Sequence, residues 1–183
     1  DIVGSSYVSI DSFFKPKKGE PKKAVLLSFF ATYCKPCATE LPHLVELYNH
    51  YKDSGLQVLV ISIDQDPKDI DVLAKLAGDH AVPFPVLTDR FNIVARRYSV
   101  AKLPCMYLVD SGRTVRNVQV GYTGQMPQSL LANIRNELAL TANSKVPPFK
   151  LRAAAEKPAK EVIDEKAAGK AEKAVKKAKK KVK

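Results

Sequence analysis

Apolar residues fall along this chain in short runs and periodic faces, and their spacing alone sets out an order of elements. Between Asp1 and Phe14 the apolar positions Tyr7, Val8, Ile10, Phe13 and Phe14 alternate weakly with polar ones, which predicts a short edge strand. Lys15 to Lys23 sets Pro16, Gly19 and Pro21 among lysines and reads as an exposed turn. Ala24 to Phe30 is a near-continuous apolar run, the pattern of a strand covered on both faces. From Pro36 onward Leu41, Leu44, Val45, Tyr48 and Tyr51 recur at helical spacing until Ser54-Gly55 stops them. Pro42 inside that segment removes one backbone hydrogen bond and is expected to bend the helix. Leu56 to Ile63 is a second strongly apolar, β-branched strand.

Asp66-Pro67 supplies a capping residue and a first-turn proline for a helix through Ile70, Leu73 and Leu76 or Ala77. Val82-Pro83-Phe84-Pro85 is extended, because a residue before proline is pushed out of the helical region. Val86 and Leu87 predict a brief strand ahead of a short helix carrying Phe91, Val94, Ala95 and Tyr98. Met106 to Val109 and Thr114 to Val120 flank the turn Asp110-Ser111-Gly112, and strands joined by so short a loop are antiparallel neighbours. A last helix lines up Leu130, Leu131, Ile134 and Leu138, and Pro147-Pro148 closes the compact part. Parallel strands linked by helices and followed by an antiparallel pair define an α/β fold, a mixed central sheet with helices on both faces.

With 183 residues and 45% apolar composition the chain can bury one ordinary core with residues to spare. One domain over residues 1–148 and an extension over 149–183 are expected. Charge divides the chain at the same place: between Arg152 and Lys183 there are 12 Lys or Arg against 5 Asp or Glu, which accounts for most of the net charge of +11. Leu151 to Lys183, the Lys/Ala-rich part of this tail, has no aromatic residue and cannot form a core of its own. Ile163, Ala167, Ala171, Ala174, Ala178 and Val182 recur at spacings of four and three, so the tail is expected as a disordered segment or a single exposed helix. Its lysines suit contact with an anionic lipid, polymer or nucleic acid surface, and solubility explains them equally well. No specific nucleic acid partner is expected. No run of about 18 consecutive apolar residues occurs, so no segment reads as a membrane-spanning helix. The start at Asp1 rather than Met fits a leader removed by processing, either an export signal or an N-terminal anchor.

Three cysteines are too few for a disulfide scaffold and leave one over from a pair. Cys34-Lys35-Pro36-Cys37 places two thiols three positions apart at a helix start, close enough for a small disulfide ring. Backbone N–H groups and the helix dipole stabilise a thiolate there. Half of a zinc site is the other reading, but four ligands need a second pair and only Cys105 remains. Pro36 fixes a helical dihedral in the first turn, and Lys35 adds a positive charge that solvation explains equally well. Glu40 follows Cys37 by three residues and so points to a similar side, where a carboxylate can take or return a proton and raise the thiol pKa values. A solvent-facing helix glutamate is the alternative. His43 and His50, seven apart on one helical face, read as polar surface or core edge.

The stretch Phe29-Phe-Ala-Thr-Tyr-Cys-Lys-Pro-Cys-Ala-Thr-Glu-Leu-Pro42, with Leu103-Pro104 before the hairpin and Tyr107-Leu-Val-Asp-Ser-Gly112 at its turn, resembles the thioredoxin superfamily. Within it the likeness is to the TlpA/ResA-like extracytoplasmic thiol-disulfide oxidoreductases, over about Tyr7 to Ala142. Three positions stand out against the family pattern. Tyr33 stands where the family usually has tryptophan, Ser28 stands where ordinary thioredoxin carries a buried aspartate, and Glu40 matches the acidic residue of the family's Cys-x-x-Cys-x-x-Glu-x-Pro pattern.

The resemblance implies a thioredoxin-like fold with Cys34 attacking and Cys37 resolving, no cofactor, and no metal. It implies that Pro104 is a cis proline opposite the disulfide, where a substrate strand would pair with the backbone. Tyr33, Lys35, Pro36 and Leu103 would flank the substrate with it. Cys105 is either a buried small hydrophobe or a third thiol able to exchange with Cys34 and Cys37. The implied partners are a disulfide-bearing protein substrate, with apocytochrome c before haem attachment as one candidate, and a membrane thiol-relay electron donor. The implied location is periplasmic or membrane-anchored outside the cytoplasm. A copper- or zinc-handling module that uses Cys34, Cys37 and Cys105 is the alternative reading, but related copper chaperones space their cysteines by three residues rather than two. A peroxide-consuming relative is a weaker alternative, since the Pro-x-x-x-Thr-x-x-Cys pattern is absent before Cys34.

Overall fold

The structure, a computed structural model, describes residues 7–151. The expected tail helix and the first six positions of the expected edge strand lie outside the described residues. The two most apolar runs form β1 (Ala24–Phe30) and β2 (Leu56–Ser62), buried at every position and paired in parallel with Ala24 opposite Leu56. β3 (Val86–Thr88) extends the sheet in parallel beyond β2. On the other side of β1, β4 (Cys105–Asp110) pairs antiparallel, followed by β5 (Val115–Val120), so the order is β3-β2-β1-β4-β5. This is the mixed sheet that the hydrophobic pattern predicts.

Successive strand residues point to opposite faces, and the alternation sorts the core into two layers. Leu26, Phe30, Val58, Val60, Met106 and Leu108 meet α2 (Lys35–Tyr51) and α5 (Gln128–Glu137), and Leu73 of α3 (Pro67–Asp79) joins that layer. Val25, Leu27, Phe29, Leu59, Ile61 and Tyr107 meet Ala95 of α4 (Ile93–Arg97) on the opposite face. α2 continues through Pro42 and gives way to a single 3-10 turn, Lys52–Ser54, ahead of Gly55 at φ +106°, a left-handed conformation that favours glycine.

The expected edge strand before Phe14 is instead a short helix, α1 (Asp11–Phe14), over its described part. Ile10, Phe13 and Phe14 lie three and four apart, a helical spacing, and Ser9 accepts from the Ser12 amide through its carbonyl and from the Asp11 amide through its hydroxyl. Phe14 is thereby buried on the α4 face of the sheet. Packing also continues past Pro147-Pro148. His50 Nε2 lies 2.8 Å from the Pro147 carbonyl, and buried Phe149 donates its amide to the Tyr51 hydroxyl. At the hairpin, Asp110 accepts from the Thr114 amide and from Arg116 Nε, which hold its carboxyl below the usual carboxylate range against the opposing effect of burial.

Candidate active site

β1 delivers the chain to Ala31, Thr32 and Tyr33, and Cys34 then caps α2 in an extended conformation at φ −91°. Its sulfur accepts the Cys37 amide at 3.3 Å, so one of the unpaired donors of the first helical turn points at Sγ. In the reduced protein that donor and the helix dipole stabilise a thiolate at Cys34. Lys35 and Pro36 occupy the first turn, where the missing proline N–H costs nothing. Cys34 and Cys37 are joined by a disulfide, with Cα atoms 5.3 Å apart. Cys34 is 9% exposed and Cys37 is wholly buried, so an incoming group reaches Cys34 first.

One turn inside, Glu40 is fully buried rather than facing solvent. It shares the inward face of α2 with Cys37, Leu41 and Leu44, and its Oε2 accepts the Ser28 hydroxyl at 2.7 Å. Ser28 is the polar position in the apolar run of β1, and the strand alternation turns it toward α2. Burial drives the Glu40 carboxyl up to about 7, with the Ser28 hydrogen bond pulling the other way. Among the described residues, Glu40 Oε1 has no hydrogen-bond partner. Ser28 reads in the sequence as a lost acid; the structure puts an acid in the same place, reaching in from the helix instead of out from the strand.

The Leu103–Pro104 peptide is cis, and Leu103 packs between the two core layers. The β1–β4 register sets Cys105 opposite Phe29, which brings Pro104 to the end of the sheet where β1 passes into the cysteine turn. Tyr33 is 72% exposed beside a cleft of about 280 Å³ lined also by Asp64, Asp66, Asp69 and Asn92. Burial and the charges of Asp64 and Asp69 raise the Tyr33 phenol. On the other flank, Lys35, Pro36, Thr39, Tyr122 and Gly124 line a cleft of about 390 Å³. Tyr122 hydrogen-bonds the ring of His43, whose imidazole is held below its ordinary value by burial. The chain therefore presents the cysteine turn between an acidic cleft and a cleft with one lysine.

Cys105 does not join this group. The pleat turns it to the face opposite the disulfide, among Phe29, Ile61, Ala95 and Tyr107, and burial raises its thiol pKa. A buried small hydrophobe is the reading its position supports. Among the described residues, no three His, Cys, Asp or Glu side chains are arranged to hold a metal ion. Two contributors escape sequence reasoning, the Ser28 partner of Glu40 and Asp64, which binds the loop before Cys34. Each carries a weak signal, a hydroxyl inside an apolar strand and an acid just past one.

A sheet in this order, with a disulfide closed at the first turn of the helix that follows its central strand, defines a thioredoxin-like dithiol protein. The chain belongs to the AhpC/TSA family, whose model matches residues 8–118. Thiol-disulfide oxidoreductase ResA from Geobacillus kaustophilus is 33% identical over 99 residues, 54% of this chain and 55% of that protein. The ResA of Bacillus thuringiensis subsp. konkukian is 33% identical over 113 residues, 61% and 64% of the two chains. This chain thus spans less than two thirds of the length of these relatives. A solved structure from Chlorobium tepidum, named thiol:disulfide interchange protein DsbE, superposes with a TM-score of 0.58 at 27% identity over 63% of this chain and 80% of that one. The resemblance to ResA-like proteins and the thioredoxin-like fold expected from the sequence are both borne out.

Proposed function

We propose that this protein is a thiol-disulfide oxidoreductase that reduces disulfides in protein substrates through Cys34 and Cys37. The observation that carries the reading is the disulfide at the entrance of α2, with Cys34 slightly exposed, Cys37 sealed, and a buried carboxyl at about 7 one turn below.

In the reduced enzyme the Cys34 thiolate attacks one sulfur of the substrate disulfide. A mixed disulfide forms and the first substrate sulfur leaves as a thiolate, which takes up from solvent the proton that Cys34 released there on ionising. Cys37 then gives its proton to Glu40 and attacks Cys34 Sγ. The enzyme disulfide closes, and the second substrate sulfur leaves and is protonated in turn. Two electrons and two protons pass to the substrate. A carboxyl near 7 is suited to hold the Cys37 proton and release it at neutral pH. Tyr33, Lys35 and Pro36 adjoin Cys34 in the chain, and Leu103 with cis Pro104 precedes β4 at the same end of the sheet, so in this reading these residues contact the substrate.

An external dithiol must recharge the enzyme, and a membrane thiol-relay protein fits that need. The likeness to a thiol-disulfide oxidoreductase and a thiol:disulfide interchange protein supports a disulfide-bearing protein substrate, and an extracytoplasmic location with a substrate such as apocytochrome c is the finer form of this proposal. Among the described residues no helix is long and apolar enough to cross a membrane. The basic tail adds contact with an anionic surface.

Reduction of insulin by dithiothreitol, followed as turbidity with Cys34→Ser and Cys37→Ser variants and with metal analysis of each protein, tests the reading. The wild type accelerates the reaction, neither variant does, and Cys37→Ser traps mixed disulfides. Tight stoichiometric metal without dithiol-dependent turnover overturns it in favour of the metal-handling alternative.

A further inference from the structure

Asp64 is a second carboxylate walled in at this end of the sheet, and the exchange chemistry above does not use it. It lies two residues past β2 and is 2% exposed. The Thr32 amide donates to Oδ1 and Oδ2 at 3.1 and 3.0 Å, and the Thr32 hydroxyl donates to Oδ1 at 2.9 Å. The Ser62 hydroxyl donates to Oδ2 at 2.6 Å and accepts the Asp64 amide at 3.1 Å, which pins the carboxylate to the end of β2. Phe30 and Ser62 are register partners, and the Ile63 amide donates to the Phe30 carbonyl, so loop and anchor leave the sheet side by side. A carboxylate is costly to bury unless donors surround it. Here the donors come from the sheet on one side and from the loop ahead of Cys34 on the other.

We propose that Asp64 is a positioning residue for thiol exchange: by clamping Thr32 it fixes the loop that projects Tyr33 and seats Cys34 as the cap of α2, and its charge sets how readily the Cys34 sulfur ionises. Only three residues separate the end of β1 from Cys34, so their backbone decides whether Sγ meets the Cys37 amide. A fixed negative charge beside that turn opposes the thiolate and works against the helix dipole. The other charged groups on the surrounding elements include Lys35, Glu40 and Glu46 of α2, Asp66 at the cap of α3 with Lys68 and Asp69 in its first turn, and Lys102 ahead of Pro104. All of them are retained in the variants below.

The proposal rests on the oxidoreductase reading, and two readouts separate its failure from failure of that reading. Alkylation of Cys34 in the reduced protein by iodoacetamide, resolved by mass across pH, needs no turnover. Insulin reduction does. Asp64→Asn is expected to lower the alkylation midpoint by about half a pH unit. Thr32→Val, which keeps the shape and the charge but loses the hydroxyl, is expected to leave the midpoint in place and slow insulin reduction about fivefold, with Thr32→Ser restoring the rate. If Asp64→Asn keeps the wild-type midpoint and Thr32→Val the wild-type rate, with only the melting temperature lowered, Asp64 is merely structural and the proposal falls. A shifted midpoint in a protein whose wild type does not reduce insulin leaves the anchor standing and removes the oxidoreductase reading. Should Asp64→Asn fail to fold, the Thr32→Val and Thr32→Ser pair decides.

Discussion

Ser28 Oγ lies 2.7 Å from Glu40 Oε2, so a hydroxyl from the central strand and a carboxyl from the helix above it share a hydrogen bond where no solvent reaches. Burial is the larger influence on this pair. It raises the carboxyl from an ordinary 4.5 to about 7 despite the bond. Across that interval the folded protein holds a proton that the unfolded chain has already released. The stability this group contributes is therefore full below 4.5 and falls as pH rises through 7.

Replacement of Glu40 by Gln removes that dependence. Urea unfolding of the oxidised protein is expected to give similar stabilities for the two proteins at pH 5. By about pH 8.5 the Gln variant is expected to gain about 3 kcal/mol over wild type. An equal loss of stability in both proteins over that range would place the titration elsewhere.

Ser28→Ala removes the donor that pulls the carboxyl down. The Glu40 midpoint, read by carbon-detected NMR, should move above its wild-type position near 7. At alkaline pH, where the charged form has lost its donor, the cost to stability is about 1 to 2 kcal/mol, and it is smaller at pH 5.

In the reduced enzyme an ionised Glu40 opposes formation of a thiolate beside it. Glu40→Gln is thus expected to lower the thiol midpoint by about one unit, read by ultraviolet absorbance of the thiolate. It should also slow closure of the disulfide at least tenfold, on the order of a lost proton acceptor. A thiol midpoint unchanged by the substitution would remove Glu40 from the mechanism.

Cys105 packs on the far face of the sheet from the Cys34–Cys37 disulfide. Cys105→Ala is expected to retain insulin reduction within about twofold and to cost about 1 kcal/mol of stability for the lost sulfur. In the folded protein Cys105 should resist alkylation under conditions that label reduced Cys34. Rapid labelling of native Cys105, or loss of turnover in the alanine variant, would return it to the reacting group.

Much of the fold is legible in residue spacing. The apolar runs at Ala24 to Phe30 and Leu56 to Ile63 specify strands with no wet face, and the short turn after Asp110 compels an antiparallel partner. The start of the chain was less legible. Ile10, Phe13 and Phe14 suit a turn of helix as well as a weak strand, and the choice follows from the Ser9 hydrogen bonds and the place of Phe14 under the sheet. Near Pro148, the partners that hold Phe149 lie about a hundred positions earlier, on α2, beyond the reach of any local pattern.

By itself the sequence determined the strands, the main helices, and a pair of cysteines at a helix entrance, because local periodicity and the placement of proline and glycine encode them. Tertiary structure alone decided which polar groups meet. Ser28 finds Glu40 only because strand and helix cross, and Asp64 finds Thr32 only because β1 and β2 run side by side. Cys105 is parted from the other two cysteines only because the pleat of β4 points it away. Such encounters depend on packing between distant segments, and it is burial there, not residue type, that brings a glutamate to about 7.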